Sequence, residues 1–392
     1  MSGSVIVSGA RTPIGRFQGA FTTFTAMQLG GVAIREALAR AGLTGEQVDY
    51  VLMGQVLQAG QGQITARQAA VAGGVPMNVP CITINKVCLS GLNAVHLADV
   101  LIRAGEIDIA VAGGMESMTN TPYAMPKARA GLRMGNAEIV DLMIQDGLWC
   151  AFEKSHMGEG SDAVNEQLKI GRSEQDEWSA RSHERAAEAT KGQRLAQEIT
   201  PVEVPQRKGD PIRVEEDEGI RPGTTAESLS TLKPAFMKTG TITAGNASQI
   251  SDGGAALVVM SRVKADEMGI EPLAEILAHG QVAGPDASLH MQPANAIRVA
   301  ARKAGLDPSG LDVYEINEAF ASVAYASTKE LGVSEDKVNV NGGAVALGHP
   351  IGMSGARLVL TAAYELKRRG GGVGAAALCG GGGQGDALLI KV

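Results

Sequence analysis

One segment of this chain occurs twice. Ala41-Gly42-Leu43 followed by Val48-Asp49 recurs as Ala304-Gly305-Leu306 followed by Leu311-Asp312, at a constant offset of 263 residues. Ser90-Gly91 and the helical stretch to Ala104-Gly105 then match Ser354-Gly355 and a stretch to Arg369-Gly370, displaced by 264 to 265. Each copy closes on a glycine-rich segment, Val111-Ala112-Gly113-Gly114 in the first and Leu378-Cys379-Gly380-Gly381 in the second. Within each copy an amphipathic helix leads to an apolar strand (residues 50–53; 313–316), then a second helix and a second apolar strand (108–111; 373–378). Helices alternating with short apolar strands predict two layered α/β halves with buried sheets. Two unrelated α/β units would share some of this grammar, but order and offset are kept over roughly 75 residues, which favours duplication.

Residues 118–248 separate the copies and differ in composition. There 36 of 131 residues are charged, against 41 of the other 261, so this stretch reads as an inserted, more solvated domain. Both tryptophans, Trp149 and Trp178, lie in it, as does a helix expected from Ser173 to Lys191 with Ser173-Glu174-Gln175-Asp176 as a capping box. After it, the run Ala255 to Met260 reads as a buried strand that returns to the first half. The expected organisation is a first core half from 1–117 with 249–270, an insertion at 118–248 and a second core half at 271–392.

Charge and cysteine content narrow the chemistry. Lys and Arg number 35 against 42 Asp and Glu, a net charge of −7, which argues against nucleic acid or an anionic membrane as the main partner. No apolar run is read as reaching the roughly 18 residues of a membrane span, and the opening Met1–Val7 lacks the pattern of a signal peptide, so the cytoplasm is expected. Four cysteines with no C-x2-C spacing predict reduced thiols, with no disulfide framework and no metal site.

Three residues combine nucleophilic or basic chemistry with a special position. Cys88 follows the apolar strand 81–84 and precedes a helix, where the positive helix end is expected to lower its pKa; the alternative is a buried structural cysteine. His349 stands in Gly348-His349-Pro350, within a glycine-rich loop. The duplication places it near the counterpart of Asn85, so a pseudo-twofold axis would set it beside Cys88 as base to nucleophile. A satisfied polar histidine is the plainer alternative. Cys379 ends an apolar strand beside glycines whose N–H groups suit an oxyanion. The rival, a dinucleotide-binding loop at Gly381-x-Gly383-x-Gly385, fails because only seven residues follow. Asn317, in Asn317-Glu318-Ala319-Phe320, is the expected N-cap of a helix from Ala319 to Leu331.

Asn85-x-x-Cys88-x-Ser90-Gly91, Gly113-Gly114-Met115-Glu116-Ser117-Met118, Asn317-Glu318-Ala319-Phe320, Gly348-His349-Pro350 and Cys379-x-Gly381-Gly382 occur in that order. On these motifs the chain resembles the thiolases over essentially its whole length, most of all their bacterial acetyl-CoA C-acetyltransferase branch. The resemblance implies an α/β thiolase-like fold of two βαβαβαββ halves in an α/β/α/β/α core with an inserted loop domain, assembled as a homotetramer. It implies that Cys88 is acylated by acetyl-CoA, that His349 deprotonates Cys88, and that Cys379 takes the α-proton of a second acetyl-CoA. Asn317, through a water, and His349 would form one oxyanion hole, and the N–H groups of Cys88 and Gly381 the other. Substrate and coenzyme A contacts would fall on His156, Met157, Arg221, Ser228, Phe236, Ala244, Ser248 and Phe320.

The implied reaction is the Claisen condensation of two acetyl-CoA to acetoacetyl-CoA and CoA, with thiolysis as its reverse. Coenzyme A thioesters enter as substrates, and no metal or other cofactor is implied. A degradative 3-ketoacyl-CoA thiolase acting on longer chains would use the same residues. A non-catalytic acyl-CoA carrier is opposed by the intact Cys88, His349 and Cys379. One departure stands in residues 286–293, where relatives often carry methionine at the place that His290 holds, which bears on acyl-chain preference.

Overall fold

The computed structural model describes residues 3–392. The first half runs through Ser4–Arg11 (β1), Ala26–Ala41 (α1), Tyr50–Gly54 (β2), Thr65–Ala72 (α2), Cys81–Ile84 (β3), Ser90–Ala104 (α3) and Ile109–Ser117 (β4). After an insertion that carries the helices Met157–Leu168 (α4) and Arg172–Lys191 (α5), Ser251–Ser261 (β5) completes it. The second half runs through Ala274–Ala283 (β6), Gln292–Ala304 (α6), Val313–Ile316 (β7), Ala321–Leu331 (α7), Ser354–Arg369 (α8), Val373–Gly380 (β8) and Gln384–Lys391 (β9).

The strands lie in the order β3-β2-β4-β5-β1 and β7-β8-β9-β6, the same order in each half. In the second half the place of β3 is held by a single bridge between Tyr314 and Val338. Pairings of β2 with β3 and β4, and of β7 with β8, are parallel; the ladders between the other neighbouring strands are antiparallel. Only Val5–Glu275 and Ile6–Ala274 join β1 to β6, so two half-sheets meet along a short seam.

Five layers follow from which faces are apolar. Successive residues of β5 point to opposite faces. Leu257 and Val259 enter a cluster with Leu92 and Val95 of α3, Leu358 and Val359 of α8, and Leu378 and Leu388 of the second half-sheet. Ala256, Val258 and Met260 face Ile34 and Ala37 of α1 on the other side. On the far face of the second half-sheet, Ile297 of α6 and Ala324 of α7 cover Tyr314, Ala375 and Leu389. Helices α3 and α8 are therefore buried between two sheets, each covered side chain of Leu or Val size contributing roughly 1.5–3 kcal/mol. That burial explains a departure from the composition reading. The window Val87–Ala104 has a mean hydropathy of 1.4 over 18 residues, enough by length and composition for a membrane span. A helix enclosed on both sides by core is apolar nearly all round.

The repeated glycines are structural marks. Gly42 and Gly305 cap α1 and α6 at φ 68° and 69°, a region glycine enters freely, and the following Leu43 and Leu306 N–H groups bond back to Leu38 and Ala301. Gly91 and Gly355 stand where α3 and α8 cross, and a Cβ on Gly91 would lie 2.7 Å from the Gly352 oxygen. The crossing brings the N-terminal ends of both helices together.

The insertion folds back over the second half, with α5 packed on α7. Helix α5 starts one residue earlier than expected, with Gly171 as N-cap and no side-chain cap. Ser173 Oγ donates to Glu177 instead, and the first turn is held by the Arg172–Asp176 ion pair at 2.7 Å and by Gln175 Nε2 donating to the Gly171 oxygen at 2.9 Å.

Candidate active site

Cys88 sits on the link between β3 and α3, a short loop tied into itself. The Lys86 N–H donates to Ser90 Oγ at 2.8 Å, Ser90 Oγ donates to the Val87 oxygen at 2.6 Å, and the Val87 N–H donates to Asn85 Oδ1 at 3.0 Å. Val87 is held at φ 51°, a strained position for a β-branched residue, so the surrounding bonds fix the place of the next residue, Cys88.

His349 arrives from the second half after one helical turn, Ala344–Leu347, within the segment expected to be irregular. Its N–H donates to the Gln249 oxygen at 3.1 Å, and its Nδ1 lies 2.6 Å from Ser354 Oγ. Ser354 Oγ gives its single proton to the Pro350 oxygen at 2.9 Å, so it accepts from Nδ1–H, and this assigns the tautomer with Nε2 unprotonated. Burial, reinforced by the Arg357 charge, pushes the imidazole down to about 3. His349 is thus a neutral ring with a free basic nitrogen.

Asn317 is not the N-cap that the sequence suggests; α7 begins at Ala321 with Phe320 in that role. Residues 317–320 instead form a loop fixed by Glu318. Oε1 of Glu318 accepts from Trp178 Nε1 at 2.9 Å and Asn339 Nδ2 at 2.8 Å, while Oε2 accepts from Ser182 Oγ at 2.8 Å and the Val345 N–H at 3.0 Å. These bonds place Asn317 Nδ2 3.4 Å from His349 Nε2 and leave its buried Oδ1 without a partner among the described residues.

Cys88, His349, Cys379 and Gly381 line one cavity of about 410 Å³, together with Met157, His156, Phe236, Ser248, Leu289 and Phe320. Its walls are mainly apolar and its polar groups few, the usual make-up of a small-molecule site. His156 is the N-cap of α4, its Nδ1 accepting from the Gly158 N–H at 3.3 Å and its ring 4.7 Å from that of Phe236. The Ser248 N–H donates to the Ala319 oxygen at 3.1 Å, which stitches the end of the insertion to the Asn317 loop.

Of the expected coenzyme A contacts, His156, Met157, Phe236, Ser248 and Phe320 line this cavity. Arg221, Ser228 and Ala244 are exposed and do not line it. Arg221 precedes a short helix, Ala226–Ser230, and Ser228 lies within it, both exposed. His290 is also displaced from its expected place. Leu289 forms the wall, whereas His290 is buried behind it, its Nε2 2.8 Å from Asn165 Oδ1 and 3.2 Å from Ser322 Oγ.

The thiols differ from the sequence expectation in charge. Cys88 has one face open to the cavity, and protein packs around the rest. Burial pushes its thiol up to about 12, opposed by its own N–H and that of Gly381 and aided by the Glu116 carboxylate. The helix end alone would lower it, but the insertion and the second half together remove too much water. Cys379 is pushed up as well, by burial and by Cys88. Both are neutral thiols at rest.

Two carboxylates that the sequence reading quoted without a role emerge as supports. One is Glu318. The other is Glu116, fully buried, which accepts from the N–H groups of Val56, Leu57 and Gly352 at 3.0, 3.1 and 2.9 Å and so anchors the loop that follows His349. Burial raises its carboxyl to about 7 even with three donors. An acidic residue inside an otherwise apolar, glycine-rich strand was the signal available for it.

The chain matches the model of the thiolase N-terminal domain over residues 4–263 and that of the thiolase C-terminal domain over residues 270–392. It is 58% identical to a probable acetyl-CoA acetyltransferase of Mycolicibacterium smegmatis, covering 99% of this chain and 100% of that one. Acetyl-CoA acetyltransferases of Pseudomonas aeruginosa and Cupriavidus necator are each 49% identical, covering 99% and 100% of their lengths and 100% of this chain. With both domains matched and the motif residues of Cys88, His349 and Cys379 on one cavity, the chain belongs to the thiolase family.

Proposed function

We propose that the protein is an acetyl-CoA C-acetyltransferase, which condenses two acetyl-CoA to acetoacetyl-CoA and CoA and runs the reverse thiolysis through an acetyl-Cys88 intermediate. One observation carries the chemistry: a neutral histidine of fixed tautomer shares a cavity with two neutral thiols. The full-length relatives named as acetyl-CoA acetyltransferases supply the substrate class.

In the first step His349 Nε2 takes the Cys88 proton, and the sulfur attacks the acetyl carbonyl of acetyl-CoA. The oxyanion is met by the protonated imidazole and, through a water, by Asn317 Nδ2. As the C–S bond to coenzyme A breaks, the leaving sulfur takes the proton of Cys379, which leaves Cys379 as a thiolate. In the second step that thiolate removes the α-proton of a second acetyl-CoA, and the resulting carbanion attacks the acetyl-Cys88 carbonyl. The N–H groups of Cys88 and Gly381 receive this oxyanion. Expulsion of Cys88, reprotonated by His349, releases acetoacetyl-CoA. The apolar residues Met157 and Phe236 of the insertion and Phe320 of the second half would hold the thioester end, and Arg221, Ser228 and Ala244 the exposed nucleotide end. A homotetramer belongs to the same proposal and is tested by light scattering.

The deciding experiment is brief incubation with labelled acetyl-CoA followed by peptide mass spectrometry. Label on Cys88, lost in Cys88→Ser, supports the reading. Label on Cys150 or nowhere overturns it. A series of 3-ketoacyl-CoAs of rising length separates it from a degradative thiolase, which would prefer the longer members.

A further inference from the structure

The reaction proposed above needs the Cys88 loop, from the first half, and the Cys379–Gly381 turn, from the second, to keep a fixed spacing. Lys86 lies two residues before Cys88. Its Nζ bonds both carboxylate oxygens of Asp386, at 2.8 and 2.9 Å, across 300 residues of sequence. Asp386 is wholly buried and Lys86 largely so. Asp386 stands opposite Leu378 in the β8–β9 hairpin, and the next pair in that register is Cys379 with Gly385. The ion pair therefore connects the base of one loop to the base of the other. Above it Gly380 lies against Leu89, a Cβ on Gly381 would come 3.4 Å from Val87, and the Gly381 N–H faces the Cys88 sulfur.

Behind Asp386 stand two uncharged imidazoles. His279 of β6 approaches it at 3.8 Å, too far for a hydrogen bond, and His96 of α3 stacks on His279 with ring centroids 3.5 Å apart. Burial lowers both imidazoles, to about 3 for His96, so neither supplies a charge near neutral pH. Lys303, a further cation on this side, donates to the His279 backbone oxygen at 2.7 Å. Among the described residues, Lys86 is the one cation bonded to this carboxylate. Its removal leaves a buried, unpaired charge with every reason to pull water in and move the hairpin.

We propose that Lys86 and Asp386 form a strut that sets the distance between Cys88 and the Gly381 N–H, which makes them positioning residues for acyl transfer. The inference rests on the acetyltransferase reading for its role, but the strut is tested without it. Displacement of a reacting group by about 1 Å costs on the order of 100-fold in rate. Lys86→Met and Asp386→Asn should therefore slow transfer of the acetyl group from Cys88, read as acetoacetyl-CoA formation, by roughly 10- to 100-fold, with the Michaelis constant for acetyl-CoA little changed. Lys86→Arg, which keeps the bidentate contact, should restore most of the rate. The double variant should be no slower than the slower single one.

Alkylation of Cys88 by iodoacetamide as a function of pH gives the second readout. A through-space charge effect would move Lys86→Met and Asp386→Asn in opposite directions, since one loses a cation and the other an anion. Loss of the Gly381 N–H contact slows both. Slowing of both with rescue by Lys86→Arg supports the strut. Opposite shifts, or rates within twofold of the parent protein with only a lowered melting temperature, overturn it. If Lys86→Met does not fold, Asp386→Asn decides by the same criteria. Should the unaltered protein neither make nor cleave acetoacetyl-CoA, the functional proposal falls while the alkylation result still stands.

Discussion

Glu318→Gln changes one atom of a side chain that no substrate touches, yet its consequence can be worked out from the bonds it makes. The carboxylate accepts four hydrogen bonds, two on each oxygen, and every partner is a donor: the Trp178 and Asn339 side chains on Oε1, the Ser182 hydroxyl and the Val345 N–H on Oε2. A glutamine must place an NH2 group on one side, where it meets two donors and leaves them unpaired. At about 1–3 kcal/mol for each buried unpaired group, the loss is about 2–6 kcal/mol, a large share of the roughly 5–15 kcal/mol that holds a domain together. Turnover should fall as well, by tenfold or more, because the same bonds place Asn317 and the helical turn leading to His349. The assay is equilibrium denaturation at constant m value, with steady-state kinetics on the folded fraction. Glu335→Gln is the control. Its carboxylate is partly exposed and pairs with Arg181 and Lys329, so its loss should cost no more than about 1 kcal/mol. A loss below about 1 kcal/mol for Glu318→Gln, with turnover unchanged, would refute the reasoning.

Cys379→Ser should still accept acetyl on Cys88, while deuterium uptake at the acetyl methyl and condensation fall by orders of magnitude, since a serine hydroxyl is a poor base; normal uptake would remove Cys379 from the proton transfer. Leu289→Ala should enlarge the cavity and shift the ratio of kcat/KM toward longer 3-ketoacyl-CoAs, whereas His290→Gln should leave that ratio unchanged because His290 faces Asn165 and Ser322; the opposite ranking would reinstate His290 as the determinant. His290 and His349 are held neutral, at about 4 and about 3, by burial in both cases and by Arg357 also in the second. The unfolded state binds their protons first, so their contribution is complete above pH 6.5 and is lost as the pH falls toward 4. By pH 5 the loss amounts to on the order of 2 kcal/mol for each. Denaturation at pH 7 and pH 5 should therefore show a smaller acid loss in His290→Gln than in the parent protein, and equal losses would contradict the assignment.

The duplication, the strand positions and the three reactive residues were legible because each rests on local pattern or on a motif with a fixed spacing. What escaped depends on residues far apart in sequence. Asn317 reads as an N-cap from its neighbours, and only Trp178, Ser182 and Asn339 around Glu318 show why the chain delays its helix to Ala321. Ser173 has the right spacing for a capping box, but the Arg172–Asp176 pair starts the helix one residue sooner. The Cys88 thiol was placed too low because a helix end is visible in sequence and the insertion closing over it is not. His290 and Leu289 are adjacent, and which of them meets the cavity is decided by the packing of α4. Arg221, Ser228 and Ala244 came from the resemblance alone, and their exposure leaves their part to experiment.

The position of β1 has a consequence in time. It lies between β5 and β6, and its pairing runs from Ser4 with Ser261 to Arg11 with Ala255, so neither neighbour exists until about 250 further residues have been made. At about 5–20 residues per second that is an interval of roughly 12–50 s. Throughout it, a strand whose eight residues are all buried in the finished protein has two open edges. The insertion lengthens the wait, since its residues are synthesised before β5. A ribosome stalled before residue 251 would hold out a sticky, unpaired strand. Premature termination anywhere in the first two thirds of this chain should therefore yield aggregate rather than a soluble half, and the nascent chain has more need of a chaperone at its N-terminus than its sequence alone suggests.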